Sequence, residues 1–265
     1  MERSKIIDQP SNTENPARLE LENVTAGYNG HIALDNISFN VAHGAQIAVV
    51  GPNGAGKSTL FKALVGLTPL HGGHIRIHDR PLGSHQDCVA YVPQRSEVDW
   101  RFPVTVMDVV MMGRFGRQGW MARPTRTDQQ VVATSLEQMG ISHLARRSIG
   151  DLSGGQQQRV FLARALAQEP HIFLMDEPFT GVDEPTQEAT LALLDRLRGR
   201  EVTVLVSTHD LGLAKRRFEQ VLLLNRRLVA FGTPEEVFTP ENIAKAFTNQ
   251  ALFLDGMVVV DECCE

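Results

Sequence analysis

The sequence predicts an α/β fold with a mostly parallel core sheet, preceded by an antiparallel β segment and interrupted by a helical segment. Three observations lead to this prediction. Residues 19–21 and 37–41 alternate between apolar and polar side chains. Residues 47–50 form a continuously apolar run that ends in a glycine-rich turn. Further apolar runs at 172–175 and 202–206 are separated by a helical pattern, and this alternation of strand and helix is typical of α/β proteins.

The alternating segments near the start predict half-buried strands of an antiparallel sheet, because side chains along a strand point to opposite faces in turn. The run at 47–50 has no polar position, which indicates a strand buried on both faces of a parallel sheet. After the turn, Leu60, Leu64 and Leu67 recur at helical spacing and predict a helix. The leucines within 191–197 predict another helix in the same way.

Residues 95–168 contain no comparable strand run and predict an inserted helical subdomain that ends before Pro170. Residues 221–224 and 228–231 predict a β-hairpin. The expected organisation has four parts: a flexible leader at 1–17, one domain at 18–245, the helical subdomain at 95–168 inserted in it, and a C-terminal extension at 246–265.

Composition excludes several classes of protein. The formal net charge of −5 disfavours a protein that binds nucleic acid mainly through basic residues. No apolar run approaches the roughly 18 to 20 residues that a membrane-spanning helix needs, and no secretory signal peptide is readable at the start. Three cysteines are too few for a disulfide framework. We therefore expect a cytosolic protein.

A phosphate-binding pattern, G-x-x-x-x-G-K-[ST], follows the buried strand at 47–50 and precedes the predicted helix. Glycines let the backbone wrap closely around phosphates, and the N–H groups of the helix N-terminus attract anions. The lysine adds a full positive charge, and the serine hydroxyl is a Mg²⁺ ligand. The residues expected to bind ATP here are Gly51, Pro52, Asn53, Gly54, Ala55, Gly56, Lys57, Ser58 and Thr59.

Two adjacent acids, Asp176 and Glu177, end the apolar run at 172–175. A carboxylate at a buried strand end needs a cation or hydrogen bonds to offset the cost of desolvation. Beside a phosphate site, Asp176 is expected to hold Mg²⁺ through water. Glu177 is expected to accept a proton from the water that attacks the γ-phosphate.

A second glycine turn opens the last predicted helix of the inserted segment. It consists of Leu152, Ser153, Gly154, Gly155 and Gln156. The serine hydroxyl, glycine N–H groups and helix dipole are suited to a γ-phosphate. The LSGGQ sequence is the signature of the ABC family, and with the other motifs in order over about residues 18–245 the chain resembles an ATP-binding subunit of an ABC transporter.

The resemblance implies further roles. Tyr28 matches the aromatic residue under adenine, and Gln94 matches the glutamine that joins the metal and the attacking water to the helical subdomain. His209 matches the histidine that contacts the γ-phosphate and steadies the catalytic glutamate, and Asp183 matches an acid at the dimer interface. The expected Mg²⁺ ligands are thus Ser58, Gln94 and Asp176.

The resemblance also implies partners. Two cassettes, expected to be a homodimer, close over two MgATP so that the signature of one chain completes the site of the other. The expected partners are integral-membrane permease subunits and an extracytoplasmic substrate-binding protein, with no nucleic acid. The location is the cytoplasmic face of the cell membrane, where the chain is peripheral through the permease.

Residues 98–106, followed by Val109, Met111, Gly113 and Arg114, resemble the region after the glutamine loop in ATPases of manganese, zinc and iron importers. Import of a divalent metal is therefore expected. The alternatives are an ABC ATPase for another substrate, a soluble ABC ATPase outside transport, and a nucleotide-binding regulator without turnover; intact Glu177 and His209 disfavour the last.

Three groups of residues look like additional sites. Arginines at 114, 117, 123 and 126 are expected to form a solvated or permease-facing surface rather than a nucleic-acid patch. The histidines at 71, 74, 78 and 85 lack compact ligand spacing, and Cys263 with Cys264 are adjacent in an acidic tail. We expect neither the histidines nor the cysteines to be a metal site.

Overall fold

The computed structural model describes residues 19–83, 88–118, 123–247, 251–254 and 257–260. The expected leader at 1–17, together with His85, Cys263 and Cys264, lies outside the described residues.

The first sheet is antiparallel, with strand order β2-β1-β4-β5. Its strands are β1 (Leu19–Tyr28), β2 (His31–Val41), β4 (Leu70–Ile77) and β5 (Arg80–Pro81). Buried Leu19 and Leu21 of β1 pair with buried Val41 and Phe39 of β2. The predicted antiparallel segment is therefore confirmed, because its apolar positions share one buried face.

The second sheet has six strands in the order β10-β9-β3-β8-β7-β6, and all neighbours are parallel except β9 and β10. The strands are β3 (Gln46–Val50), β6 (Val89–Val92), β7 (Ile172–Asp176), β8 (Thr203–Thr208), β9 (Gln220–Asn225) and β10 (Arg227–Gly232). The hairpin prediction is confirmed by β9 and β10. The sequence analysis assigned no strand to β6, whose four residues are too few to show a period.

The helices are α1 (Lys57–Leu64), α2 (Val106–Met112), α3 (Phe115–Gln118), α4 (Arg126–Gln138), α5 (Gly154–Ala167), α6 (Glu184–Arg198), α7 (Leu211–Arg217), α8 (Pro234–Val237) and α9 (Pro240–Ala246). Four of them, α2 to α5, lie in the predicted helical insertion, which is confirmed as mostly helical. A separate two-stranded sheet pairs β11 (Ala251–Leu254) with β12 (Met257–Val260).

The core sheet separates two hydrophobic clusters, and β3 contributes to both. Ile47 and Val49 pack in the cluster that contains the antiparallel sheet and α1. Ala48 and Val50 pack in the cluster that contains α2, α4, α5 and α6. Alternating side chains of an apolar strand thus bury both faces of the sheet. Residues 51–56, which we call the phosphate loop, directly follow this fully buried strand.

The predicted reach of α1 to Leu67 is wrong. The helix ends at Leu64, and Leu67 lies beyond it with 65% of its surface exposed. Gly66 has a φ of 73°, a left-handed conformation that glycine adopts readily and that commonly ends helices. The backbone N–H of Leu67 then donates to the carbonyl of Lys62 at 2.7 Å.

Arg114 is buried, which corrects the expected solvated arginine surface. Its guanidinium donates to Asp128 at 2.9 Å, to Glu169 at 2.7 Å and to the carbonyl of Ala167 at 2.7 Å. These contacts tie the segment after α2 to the start of α4 and the end of α5. Arg123 and Arg126 are exposed as expected.

Within the described part of the chain, no helix combines the length and apolar character required to cross a membrane.

Candidate functional site

The phosphate loop joins β3 to α1 and is shaped by its glycines. A Cβ on Gly51 would lie 2.0 Å from the carbonyl oxygen of Leu224. Gly56 has a φ of 98°, and a Cβ there would lie 2.8 Å from the carbonyl oxygen of Ala33. Gly56 is also the N-cap of α1, which begins without a side-chain capping bond. The first N–H groups of α1 therefore face the loop without competition from a capping side chain, which leaves them available to an anion.

Lys57 places its ammonium inside this loop. Its residue is only 6% exposed, and Nζ donates to the carbonyls of Gly51 at 2.8 Å and Pro52 at 3.1 Å. Burial lowers the pKa of Lys57 from its ordinary value, while the negative charges of Glu177 and Asp176 act in the opposite direction. A positive charge held in a partly desolvated loop interacts strongly with phosphate oxygens.

Asp176 is fixed at the end of β7. The residue is 1% exposed, and Ser207 Oγ donates to Oδ1 at 2.5 Å. Tyr91 Oη donates to Oδ2 at 3.4 Å. Burial raises the pKa of Tyr91, with the charge of Asp176 adding to the effect, so the phenol stays protonated and able to donate. These bonds offset the desolvation of Asp176 and fix its orientation.

Glu177 has a φ of 46°, a left-handed conformation that is uncommon outside glycine and costs conformational energy. Its backbone N–H donates to Ser207 Oγ at 2.8 Å. Its carboxylate lies 4.0 Å from Lys57 Nζ and accepts from Gln94 Nε2 at 3.4 Å. Thr180 Oγ1 lies 3.5 Å from the same carboxylate. The strained backbone thus brings Glu177 to both the phosphate loop and the glutamine.

Sheet topology explains this convergence. The phosphate loop follows β3, His209 follows β8, the two acids end or follow β7, and Gln94 follows β6. These strands are adjacent in the order β3-β8-β7-β6 and parallel, so the segments that follow them lie at one edge of the sheet. This edge is the usual ligand site of open α/β sheets. His209 is exposed there.

Tyr28 ends β1 and is 39% exposed. Its hydroxyl hydrogen-bonds with the hydroxyl of Thr68. The ring is therefore anchored at its polar end while part of its surface remains accessible.

The signature turn lies at the N-terminus of α5, and Ser153 is its N-cap. Ser153 Oγ accepts from the backbone N–H of Gln156 at 3.3 Å, and Gln156 Oε1 accepts from the backbone N–H of Ser153 at 3.0 Å. A hydroxyl that accepts one bond still has its own proton to donate. Ser153 is exposed, so that proton is available at the surface.

Two contacts link the signature turn to other site segments of the same chain. Arg95, next to Gln94, donates to Gln157 at 3.2 Å, and a Cβ on Gly154 would lie 2.5 Å from its guanidinium. A Cβ on Gly155 would lie 2.5 Å from Oδ1 of Asp183. Asp183 caps α6 by accepting from the backbone N–H of Thr186 at 3.2 Å. Gly154 and Gly155 thus allow close approach of the side chains that follow Gln94 and precede α6.

The structure therefore brings together Lys57, Gln94 and Glu177 through direct contacts. Asp176 precedes Glu177 at the end of β7, and Ser58 and Thr59 lie in the first turn of α1. No sequence motif predicted the roles of Ser207 and Tyr91, which hold Asp176. Ser207 pairs with Asp176 in register. The available signal in the sequence was that Ser207, a polar residue, directly follows the apolar run at 202–206.

The structure gives partners for two of the histidines at 71, 74, 78 and 85, and His85, Cys263 and Cys264 lie outside the described residues. Of the histidines, His74 pairs with Glu22 at 2.7 Å and His78 contacts His171 rather than its sequence neighbours. Within residues that the structure describes, no group of three or more histidine, cysteine, aspartate or glutamate side chains is placed to hold a metal ion.

Comparison with known proteins identifies a family match. A family model described as ABC transporter matches residues 34–180.

Several curated relatives cover most of the chain. It is 46% identical to the manganese transport system ATP-binding protein MntB of Bacillus subtilis, over 92% of this chain and 97% of that protein. It is 45% identical to the zinc transport system ATP-binding protein TroB of Treponema pallidum, over 86% of each chain. It is 47% identical to the chelated iron transport system membrane protein YfeB of Yersinia pestis, over 86% of this chain and 78% of that protein.

Solved structures show the same fold. A transporter described as metal-chelate type, in an inward-facing conformation, matches with a TM-score of 0.76 and 29% identity, over 92% of this chain and 96% of that one. A dimeric ATP-binding cassette in a post-hydrolysis state, bound to ADP and phosphate, matches with a TM-score of 0.71 and 27% identity, over 82% of this chain and 98% of that one.

Proposed function

Because this chain belongs to the ABC transporter family and is an ATP-hydrolysing, nucleotide-binding subunit, we propose that it drives import of a divalent metal ion through a separate membrane permease. The observation that supports ATP hydrolysis is the contact between Lys57 Nζ and the carboxylate of Glu177, 4.0 Å apart, next to buried Asp176. The metal-import part is supported by the names of the relatives, which transport manganese, zinc and chelated iron.

In the proposed mechanism, the glycine loop and α1 bind the β- and γ-phosphates of ATP, and Lys57 balances the charge that develops on them. Glu177 accepts a proton from the attacking water. Gln94 donates to that carboxylate and so orients it, while Ser207 holds its backbone. His209 contacts the γ-phosphate, and Tyr28 stacks under adenine.

The donor set suits Mg²⁺, which prefers hard oxygen ligands. Ser58 offers a hydroxyl, Gln94 an amide oxygen, and Asp176 a carboxylate that is already desolvated and fixed by Ser207. When bound, Mg²⁺ neutralises charge on the phosphates.

Pairing of two copies follows from the signature turn. Ser153 is exposed and keeps a proton to donate, so in the proposed homodimer it contacts the γ-phosphate held by the other copy. Asp183 lies at the same interface, where its contact with Gly155 couples the two segments. A dimeric cassette of the same fold supports this arrangement.

The permease contact is proposed on the helical insertion. Phe102, Met112 and Phe115 are large apolar residues that stay exposed there, with 58% of Phe102 accessible. Large exposed apolar patches mark protein interaction sites, and we propose that these residues contribute to one. We place the chain at the cytoplasmic face of the membrane through this contact, with an extracytoplasmic binding protein delivering the ion to the permease.

The proposal is tested by reconstitution with candidate permeases and binding proteins in vesicles, comparing ATP-dependent uptake of manganese, zinc and iron. Glu177→Gln should bind ATP, hydrolyse it at least about a hundredfold more slowly and accumulate as an ATP-bound dimer, because the proton acceptor is lost while the fold is kept. Glu184→Gln, an exposed glutamate at the start of α6, is the matched control and should behave like the wild type. Wild-type turnover in Glu177→Gln contradicts the catalytic assignment, and coupled uptake of an unrelated solute contradicts metal import.

A further inference from the structure

Two histidine rings meet at the edge of the core sheet opposite the phosphate loop. His78 follows β4 of the antiparallel sheet, and His171 immediately precedes β7 of the core sheet. Nδ1 of His171 lies 3.2 Å from Nε2 of His78, and the ring planes are inclined by 82°. The contact therefore joins the two sheets through groups that are common ligands of transition metals.

We propose that His78 and His171 are two ligands of a binding site for a divalent transition-metal ion, with Zn²⁺ as the best fit. Imidazole nitrogens bind zinc at about 2.0–2.1 Å, and two such ligands in a tetrahedral arrangement are about 3.3 Å apart. The observed separation of 3.2 Å agrees with this value. His171 is exposed and His78 is half-buried, so an ion reaches the pair from solvent.

Metal binding needs an imidazole with a lone pair on the coordinating nitrogen. In the proposed site His171 coordinates through Nδ1 and His78 through Nε2, and the ion takes the place of the hydrogen bond between these two nitrogens.

The proposed site has two protein ligands, with water in its remaining positions. Within the described ranges, 19–83, 88–118, 123–247 and the two short segments after 250, no group of three or more metal-binding side chains is placed to hold an ion. A site with two protein ligands is exchangeable, unlike a closed structural zinc site. Imidazole ligands also determine which ion binds with higher affinity. Zn²⁺ should bind more tightly than Mn²⁺, because Mn²⁺ is suited to oxygen ligands.

The backbone of His171 ties the site to the sheet. Its N–H donates to the carbonyl of Cys88, just before β6, at 2.8 Å, and its carbonyl accepts from Thr203, the first residue of β8, at 3.0 Å. The opposite end of β7, with Asp176, is about 16 Å away at 3.3 Å per residue. The site is thus separate from the nucleotide site. Metal bound there stabilises the junction of the two sheets by mass action.

The test measures Zn²⁺ binding to the tag-free full chain by competition with a chromophoric chelator, in excess Mg²⁺ so that the nucleotide site does not take up zinc. Cys263→Ser with Cys264→Ser serves as the background, which removes thiol ligands in the tail. His78→Asn and His171→Gln remove the proposed ligands. Asparagine suits position 78 because it tolerates the left-handed backbone, where φ is 51°. His71→Gln is the control, because His71 is an exposed histidine on β4, the strand that precedes His78.

The parent should bind one Zn²⁺ more tightly than Mn²⁺ and show a zinc-dependent rise in Tm. Each ligand variant should lose at least about tenfold in zinc affinity together with the rise in Tm, because outer-shell changes alone cost that much. His71→Gln should match the parent. Zinc binding that survives both ligand variants, or a parent that binds none, overturns the proposal. Neither ATP nor a permease takes part, so the outcome is independent of the proposed import function.

Discussion

The phosphate loop and the signature turn both place glycines before a helix, but the two helix starts are built differently. α1 begins at Gly56 without a side-chain cap, and a buried lysine lies inside its loop. α5 begins at Ser153, whose side chain caps its own helix and stays exposed. The first is a recessed cradle with a positive charge, and the second is a surface cap with a single hydroxyl proton to donate.

This difference indicates a division of roles. We expect most of the electrostatic attraction for a triphosphate to come from the loop, where burial strengthens the interaction of Lys57. The signature turn offers weaker neutral donors, and in the proposed dimer they lie on the surface that a second copy covers.

Lys57→Ala should lower ATP hydrolysis by at least about a hundredfold, because a preorganised charge at the transferring phosphate is removed from a water-poor site. Steady-state phosphate release measures this loss. Lys245→Ala, which breaks an exposed ion pair with Glu241, is the control and should leave the rate unchanged. A Lys57→Ala chain that keeps more than a tenth of the wild-type rate would show that the loop does not carry the main electrostatic role.

Mixing two inactive variants tests whether the two regions belong to one composite site. Lys57→Ala and Ser153→Ala are each expected to be defective alone. In a mixed dimer, one site receives an intact loop from one chain and an intact signature from the other. Random pairing makes half of the dimers mixed, each with one intact site of two, so activity should return to about a quarter of wild type. If each chain's own signature completed its own loop, mixing would restore nothing.

Much of this architecture could be predicted from the sequence, because its strands are strongly apolar and its site residues follow them directly. The runs at 47–50 and 172–175 predicted both the buried strands and the edge where Lys57, Asp176 and Glu177 meet. Strand β6 was missed because four residues show no period, although it delivers Gln94.

Side-chain partners between distant segments were not predictable in this way. Arg114 was expected at the surface because arginine usually is, yet two acids and a carbonyl hold it inside. His78 was grouped with its sequence neighbours, whereas its ring partner is His171. Ser207 and Tyr91 carry no motif. Their role depends on strand register, which appears only once the sheet is assembled.

Ser207→Ala tests how much the stability of the nucleotide site depends on the side chain that fixes the carboxylate of Asp176. The change removes the donor to Asp176 and the acceptor for the N–H of Glu177 in a buried place, so the free energy of unfolding should fall by about 1–3 kcal/mol. Denaturant unfolding measures it. Ser135→Ala is the matched control, because that buried hydroxyl only bonds back to the carbonyl of Val131 within its helix, and it should change little. Equal effects of the two changes would remove the special role of Ser207.

Asp183→Asn should have the smallest effect on folding and separates the capping role of this residue from its charge. Asparagine is as good an N-cap as aspartate, so the unfolding midpoint near neutral pH should stay close to that of the wild type. Hydrogen bonds from Thr186 lower the pKa of Asp183. The wild-type cap therefore contributes stability above the unfolded-state pKa and loses it as the pH falls through the folded-state pKa. The asparagine variant should lack this loss of stability at acid pH, which unfolding curves from neutral to acid pH measure.

A second measurement tests the dimer interface. ATP-dependent dimerisation of Glu177→Gln is compared with that of the double variant that also carries Asp183→Asn. Weaker dimerisation with unchanged folding assigns the charge to the interface, and unchanged dimerisation leaves Asp183 as a helix cap alone.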